Sequence, residues 1–167
     1  MMNKEQIIDR FGMTRHPEGG AFVETYRSDL AVTAEGFPGP RAASTGIYFL
    51  LGRGEFSAFH RIRSDEMWHF YLGGALLIVE IDEDGAVRET ILGRDVEAGQ
   101  SLTHVVKAGR WFASCPAPAS EFSLVGCTVA PGFDFADFEL AGRGELARRF
   151  PRHEAIIHKL THDDEPR

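Results

Sequence analysis

The stretch GEFSAFHRIRSDEMWHFYLGG, Gly54–Gly74, decides how this chain is read. A histidine, His60, is followed six residues later by Glu66 and then by His69, all among aromatic residues. The flanking runs FSAFHRI and MWHFYLG are short, rich in aromatic and branched residues, and broken by a polar turn, which is the pattern of two β-strands. From Ser44 to Ala130 the same texture continues through TGIYFLL, ALLIVEI, VRETIL, SLTHVV, RWFASC and FSLVGCTVA. Asp84-Gly85 lies between ALLIVEI and VRETIL and is a strong hairpin signal. Many short strands at this spacing imply an all-β sandwich or barrel. No repeat appears at solenoid or propeller spacing.

The ends of the chain are different. Residues 3–12 read as a short helix, with Asn3 as cap, Gln6 reaching back to it, Ile7, Ile8 and Phe11 on one face, and Gly12 as stop. HPEGGAFVETYRS follows, read as a turn at Pro17 and Gly19-Gly20 and then a strand. LAVTAEGFPGPRAAS reads as a loop. Beyond the strands, a helical tail runs from about Glu145 to Lys159, interrupted near Pro151. No linker divides the chain, so residues 1–167 are expected to form a single domain, with a barrel over about 16–140 and a helical segment over about 143–160.

Composition excludes some functions. The formal net charge is −7 and the arginines are scattered, which argues against a nucleic-acid surface. The apolar runs are too short to span a bilayer, and the charged N-terminus does not resemble a signal peptide, so no membrane partner and a cytoplasmic location are expected. Cys115 and Cys127 form no CxxC pair and read as reduced, partly buried thiols.

The spacing around His60 is Gly54, five residues, His60, one residue, Ile62, three residues, Glu66, six residues, Gly73. It resembles the first motif of the cupin superfamily in every position except the second histidine, here Ile62. A looser counterpart of the second motif falls at Gly99 and Gly109, with Lys107, Phe112 and Pro116 in the proline, histidine and asparagine positions and an interval two residues longer. HPEGGAFVETYRS, DEMWHFYLGG and APGFDFADFEL together resemble one branch of that superfamily, a family of uncharacterised single-domain cupins with a jelly roll like that of the dTDP-sugar epimerases. The resemblance implies a double-stranded β-helix, commonly a homodimer, with a pocket at the barrel mouth.

The four metal-ligand positions of such a cupin correspond to His60, Ile62, Glu66 and Phe112. Ile and Phe have no lone pairs, so two ligands survive, too few to hold a transition metal tightly. His69 is a recruit only if a bulge breaks the alternation that sends Glu66 and His69 to opposite faces. No tightly held metal or other cofactor is therefore expected; the alternative is a metal-dependent cupin enzyme with a divalent transition metal on a rearranged site of His60, Glu66 and His69. HEAIIH, His153–His158, has one residue too many for a zinc-protease helix, its histidines lying about 140° apart. His16 and His104 read as turn and strand residues, and DEDG at Asp82–Gly85 as a hairpin turn rather than a calcium loop.

The resemblance turns the His60 and Glu66 faces inward, which gives an aromatic-lined cavity with Tyr48, Trp68, His69 and Trp111 as candidate ligand-binding residues. Three uses follow. His60 and Glu66 form a catalytic acid/base pair acting on a sugar or similar polar metabolite, with epimerisation or isomerisation as the analogy of fold; or the cavity binds a small molecule without catalysis; or His60 and Glu66 are a structural pair. Phe133, Phe135 and Phe138 cluster in APGFDFADFEL and are expected to leave a surplus of apolar surface for a homodimer contact.

Overall fold

The computed structural model describes residues 2–163. It opens with helix α1 (Lys4–Phe11), where the Asn3 side chain accepts from Gln6 N and the Gln6 side chain accepts from Asn3 N, the expected capping box. Gly12 ends it in the left-handed region.

Among the described residues thirteen strands follow: β1 (Thr14–Arg15), β2 (Ala21–Arg27), β3 (Ala31–Val32), β4 (Arg41–Ala42), β5 (Thr45–Gly52), β6 (Ser57–Arg61), β7 (Asp65–Gly73), β8 (Leu76–Ile81), β9 (Val87–Leu92), β10 (Thr103–Val106), β11 (Trp111–Pro116), β12 (Phe122–Ala130) and β13 (Glu139–Leu140). The segment read as a plain loop before β5 contains the small hairpin β3–β4. The chain closes with α2 (Arg143–Arg149), a 3-10 turn at Pro151–His153 and α3 (Glu154–Lys159), so Pro151 interrupts the tail where expected.

Two antiparallel sheets face each other. One has the order β1-β2-β5-β12-β7-β10, the other β13-β6-β11-β8-β9. The non-consecutive neighbours are the crossings of a jelly roll. At the Asp84-Gly85 hairpin, the Asp82 carboxylate accepts from the amides of Asp84 and Ala86, and Gly85 takes the positive φ the turn needs.

Alternation assigns each strand a face. In β7 Glu66 and Trp68 point inward and are buried, while Met67 and Tyr71 point outward and are exposed. The interior core is Phe49, Leu51, Trp68, Leu76, Ile78 and Phe112 with their neighbours. Trp68 meets Phe49 and Phe112 edge to face, an arrangement favoured by the ring quadrupoles. The outer face of the five-stranded sheet carries Phe59, Val79, Ile81 and Trp111, and the tail covers it with Leu146, Phe150, Ile157 and Leu160. The cavity lies between the sheets, lined from β2, β5, β6, β7 and β12 and from the segments around residues 16–18 and 133–135.

Candidate functional site

The turn His16-Pro17-Glu18-Gly19-Gly20 builds the floor of the cavity. His16 N donates to Gly20 O and Gly19 N to His16 O, which closes the turn tightly. Both glycines have positive φ, and a Cβ on Gly19 would fall 2.1 Å from Phe56 O, so no other residue fits there. The turn is stitched to β6, where Ala58 N donates to Glu18 O at 2.7 Å. The result is a buried carboxylate, Glu18, held beside β6.

His60 meets it. His60 Nε2 lies 3.0 Å from Glu18 Oε2, and His60 Nδ1 donates to Ala58 O at 2.7 Å. Both ring nitrogens therefore face oxygens that only accept, an arrangement that suits the imidazolium. Burial alone would lower the His60 pKa, but the charge of Glu18 and the hydrogen bond to it outweigh burial and hold it above the usual value. Burial likewise pushes Glu18 up, and the charge and hydrogen bond of His60 win and hold it low. Glu18 and His60 thus form a buried ion pair.

Glu66 differs. It is buried, lines the same cavity as His60, and makes no ion pair within 4 Å among the described residues. Burial raises its pKa to about 7; His60 pulls down and Glu18 pushes up. Cys127 lies next to it, its thiol pushed well above the usual range first by burial and then by the Glu66 charge.

The cavity has a volume of about 380 Å³, within the range of small-molecule sites. His16, Glu18, His60, Glu66 and Cys127 supply its polar wall, and Phe22, Ile62, Phe133 and Phe135 much of the apolar one. At the rim Arg27 Nε and Nη2 bond both oxygens of Glu24, at 2.9 and 2.8 Å. Glu24 and Arg27 are three apart, and a bulge at Thr25 brings them to one side. The mechanism considered for Glu66 and His69 operates here instead.

His60 and Glu66 therefore come together at one cavity, while the four other candidates do not join them. Tyr48, His69 and Trp111 each neighbour an inward residue (Phe49, Trp68 and Phe112), and parity turns them out. Tyr48 packs against Phe11 and Tyr71; His69 Nε2 lies 3.0 Å from Thr128 Oγ1; Trp111 sits under α2 with the Arg61 guanidinium over its ring. Trp68 does point inward, but it is sealed in the core. His16 is a turn residue, as read, and also a wall of the cavity. Phe133 and Phe135 line the cavity, and Phe135 also remains 53% exposed.

Glu18 and His16 are the site residues that sequence reasoning passed over. HPEGG signalled the turn through its two glycines; that the turn carries Glu18 to His60 is visible only in the fold.

The metal-ligand positions can be tested on this geometry. Phe112 pairs with His60 across β11 and β6, and the rings lie 4.1 Å apart, so an apolar ring occupies the fourth ligand's place. Ile62 fills the second. Nε2 of His60, the nitrogen a metal would take, faces Glu18. No group of three or more His, Cys, Asp or Glu placed to hold a metal occurs among the described residues. The donor set does not fit the metal of a typical cupin.

Residues 5–141 match the Cupin superfamily (DUF985) family. The chain belongs to this family. It is 33% identical over 156 residues to the uncharacterized protein YML079W of Saccharomyces cerevisiae, an alignment spanning 85% of this chain and 77% of that protein. Among solved structures, protein SO0799 of Shewanella oneidensis superposes with a TM-score of 0.91 at 38% identity, covering 98% of this chain and all of that one. A hypothetical protein of Leishmania major does so with a TM-score of 0.91 at 35% identity, covering 97% and 100%. The all-β jelly roll is thus the cupin fold. No helix among the described residues is long and apolar enough to cross a membrane.

Proposed function

We propose that this cupin is a metal-free proton-transfer enzyme, of isomerase or epimerase type, acting on a small polar metabolite such as a sugar. The observation that carries this reading is Glu66: a buried carboxyl at an open cavity, with a pKa of about 7, beside a separate buried ion pair. A group that titrates near neutrality both takes and returns protons at working pH. A carboxyl with a purely structural role is ordinarily paired, as Glu18 is with His60 and Glu80 with His104 and Arg110.

The roles differ from the simplest reading of the sequence. His60 has no free nitrogen, since Ala58 O and Glu18 hold both. It acts as a fixed positive charge that keeps Glu18 ionised, and Glu66 carries the proton. Non-catalytic binding in the same cavity is the competing use, and one experiment separates the two. The protein is incubated in D2O with a metabolite extract, and deuterium incorporation is followed by mass spectrometry. A metabolite labelled at carbon by the wild type and not by Glu66→Gln supports proton transfer. Retention of a metabolite without any labelling would establish binding alone.

A further inference from the structure

His16 borders the Glu18–His60 pair, its Nδ1 lying 3.6 Å from the same Glu18 Oε2, and its setting is built. Its Nδ1 accepts the Glu18 amide hydrogen at 3.2 Å, which places the ring proton on Nε2. The ring is wedged between Phe22, at 4.7 Å and nearly perpendicular, and Phe135, at 6.0 Å and roughly parallel, with Phe49 and Phe138 beyond. The side chain is more than nine-tenths buried. Nε2 has no hydrogen-bond partner among the described residues. Among the described residues, the polar side-chain atoms sealed from solvent without a partner are Ser57 Oγ, Ser114 Oγ and the indole nitrogens of Trp68 and Trp111. His16 Nε2 is not one of them, so it opens on the cavity that His16 lines. Burial, working against Glu18 and with His60, keeps this imidazole neutral.

We propose that His16 Nε2–H is the fixed donor of the site and that the substrate is a small uncharged carbonyl compound whose oxygen accepts from it. This rests on the proton-transfer reading above. A carboxylate can remove a proton from carbon at useful rates only where an adjacent carbonyl takes up the electron pair, and a neutral imidazole suits that oxygen. Glu66 takes the proton from the carbon beside the carbonyl. The C–H pair becomes the C=C bond of an enol or enolate, the C=O π pair moves onto oxygen, and that oxygen is held by His16 Nε2–H. Protonation at carbon by Glu66 reverses the sequence and leaves no net change of oxidation state. An anionic substrate is disfavoured. Glu18, Glu24 and Asp134 carboxyls line the cavity, and the guanidinium of Arg27 is already bonded to Glu24.

The test measures hydrogen–deuterium exchange by NMR in uncharged hydroxy-aldehydes and hydroxy-ketones of three to six carbons, with their phosphorylated counterparts. The wild type is expected to exchange the proton beside the carbonyl in an uncharged member. His16→Asn keeps a side-chain acceptor within reach of the Glu18 amide but removes the donor at Nε2; His16→Phe removes both. Each is expected to slow exchange by about 10²-fold, the effect of losing one such donor. The pH midpoint, set by Glu66, is expected to stay in place. Undiminished exchange in His16→Asn, or a moved midpoint with both variants folded, would overturn the role of His16. Exchange confined to phosphorylated compounds would overturn the uncharged class. No exchange in any member would overturn the carbonyl assignment, and the proton-transfer reading would then survive only if the extract experiment still labels a metabolite.

Discussion

Replacing Glu66 by Gln should make this protein more stable above about pH 4.5, by an amount that grows up to about pH 7 and then levels off. The carboxyl has an ordinary value of 4.5 and is raised to about 7 in the fold, chiefly by burial. For an acid whose folded pKa lies above its unfolded one, the unfolded state loses its proton first. The native state is thus at full strength below about pH 4.5 and weakens as pH rises through the folded value. A gap from 4.5 to about 7, at 1.36 kcal/mol per pH unit, comes to about 3 kcal/mol of stability lost by pH 8. Gln has nearly the same shape and does not ionise, so the Gln variant avoids that loss. For a chain of this length the gain corresponds to a rise in Tm of roughly 6–12 °C. The assay is thermal or urea unfolding of both proteins at pH 5 and pH 8. A gain of under about 1 kcal/mol at pH 5 and of about 3 kcal/mol at pH 8 is expected for the variant. A gain independent of pH, or none at pH 8, would refute the claim that Glu66, with the Cys127 thiol as its neighbour and no cation in ion-pair reach among the described residues, is an acid held against its own burial.

Other outcomes follow from the same geometry. Glu18→Gln leaves His60 buried without its counter-ion and should cost about 3–5 kcal/mol where His60 is charged. Glu18 is lowered from 4.5 and His60 raised from 6.5, so the pair is at full strength between those values, and the loss should be larger at pH 6 than well above the raised His60 value. Protein purified without chelator should contain well under one transition-metal ion per chain by elemental analysis, because Ile62 and Phe112 occupy ligand positions; near-stoichiometric metal would defeat that reasoning. A homodimer is expected through the outer face of the six-stranded sheet, where Met67 and Val105 are paired neighbours and both exposed. Sedimentation at micromolar concentration should show a dimer for the wild type and a monomer for a Met67→Asp, Val105→Asp double variant; a wild-type monomer would remove the proposal.

The strands were legible because alternation and turn residues are local. FSAFHRI, MWHFYLG and the Asp84-Gly85 turn carry their structure within a few residues. The His60–Glu66 association was legible for a different reason: both sit on inward positions of strands joined by a short connection. The aromatic candidates failed on parity. Trp111 cannot face inward if Phe112 does, nor Tyr48 if Phe49 does, and that constraint was readable in the sequence once one inward residue on each strand was fixed. Glu18 was not readable in that way. It reaches His60 across 42 positions of chain through a turn whose two glycines are forced by contact with Phe56 and Leu50. Only the assembled barrel brings those backbones together.

The two departures from the metal-binding motif and the arrival of Glu18 belong to one change in chemistry. In a metal cupin a dication would neutralise the glutamate of the motif and hold its pKa low. Here Ile62 and Phe112 remove two donors, and the remaining histidine turns its Nε2 to Glu18. The cation near Glu66 is then a single imidazolium whose charge is largely balanced by Glu18. Burial, no longer opposed by a metal, decides the outcome and lifts Glu66 to about 7. The substitutions that remove a metal site therefore also supply a proton carrier. Restoring His at positions 62 and 112 should reverse both effects together: the Ile62→His, Phe112→His variant should bind Zn²⁺ or Mn²⁺ measurably by calorimetry, and the bound metal should return the Glu66 titration, followed by carbon-13 NMR of its carboxyl, to the acid range. A variant that binds metal while Glu66 still titrates near 7 would break the link between the missing ligands and the poised acid.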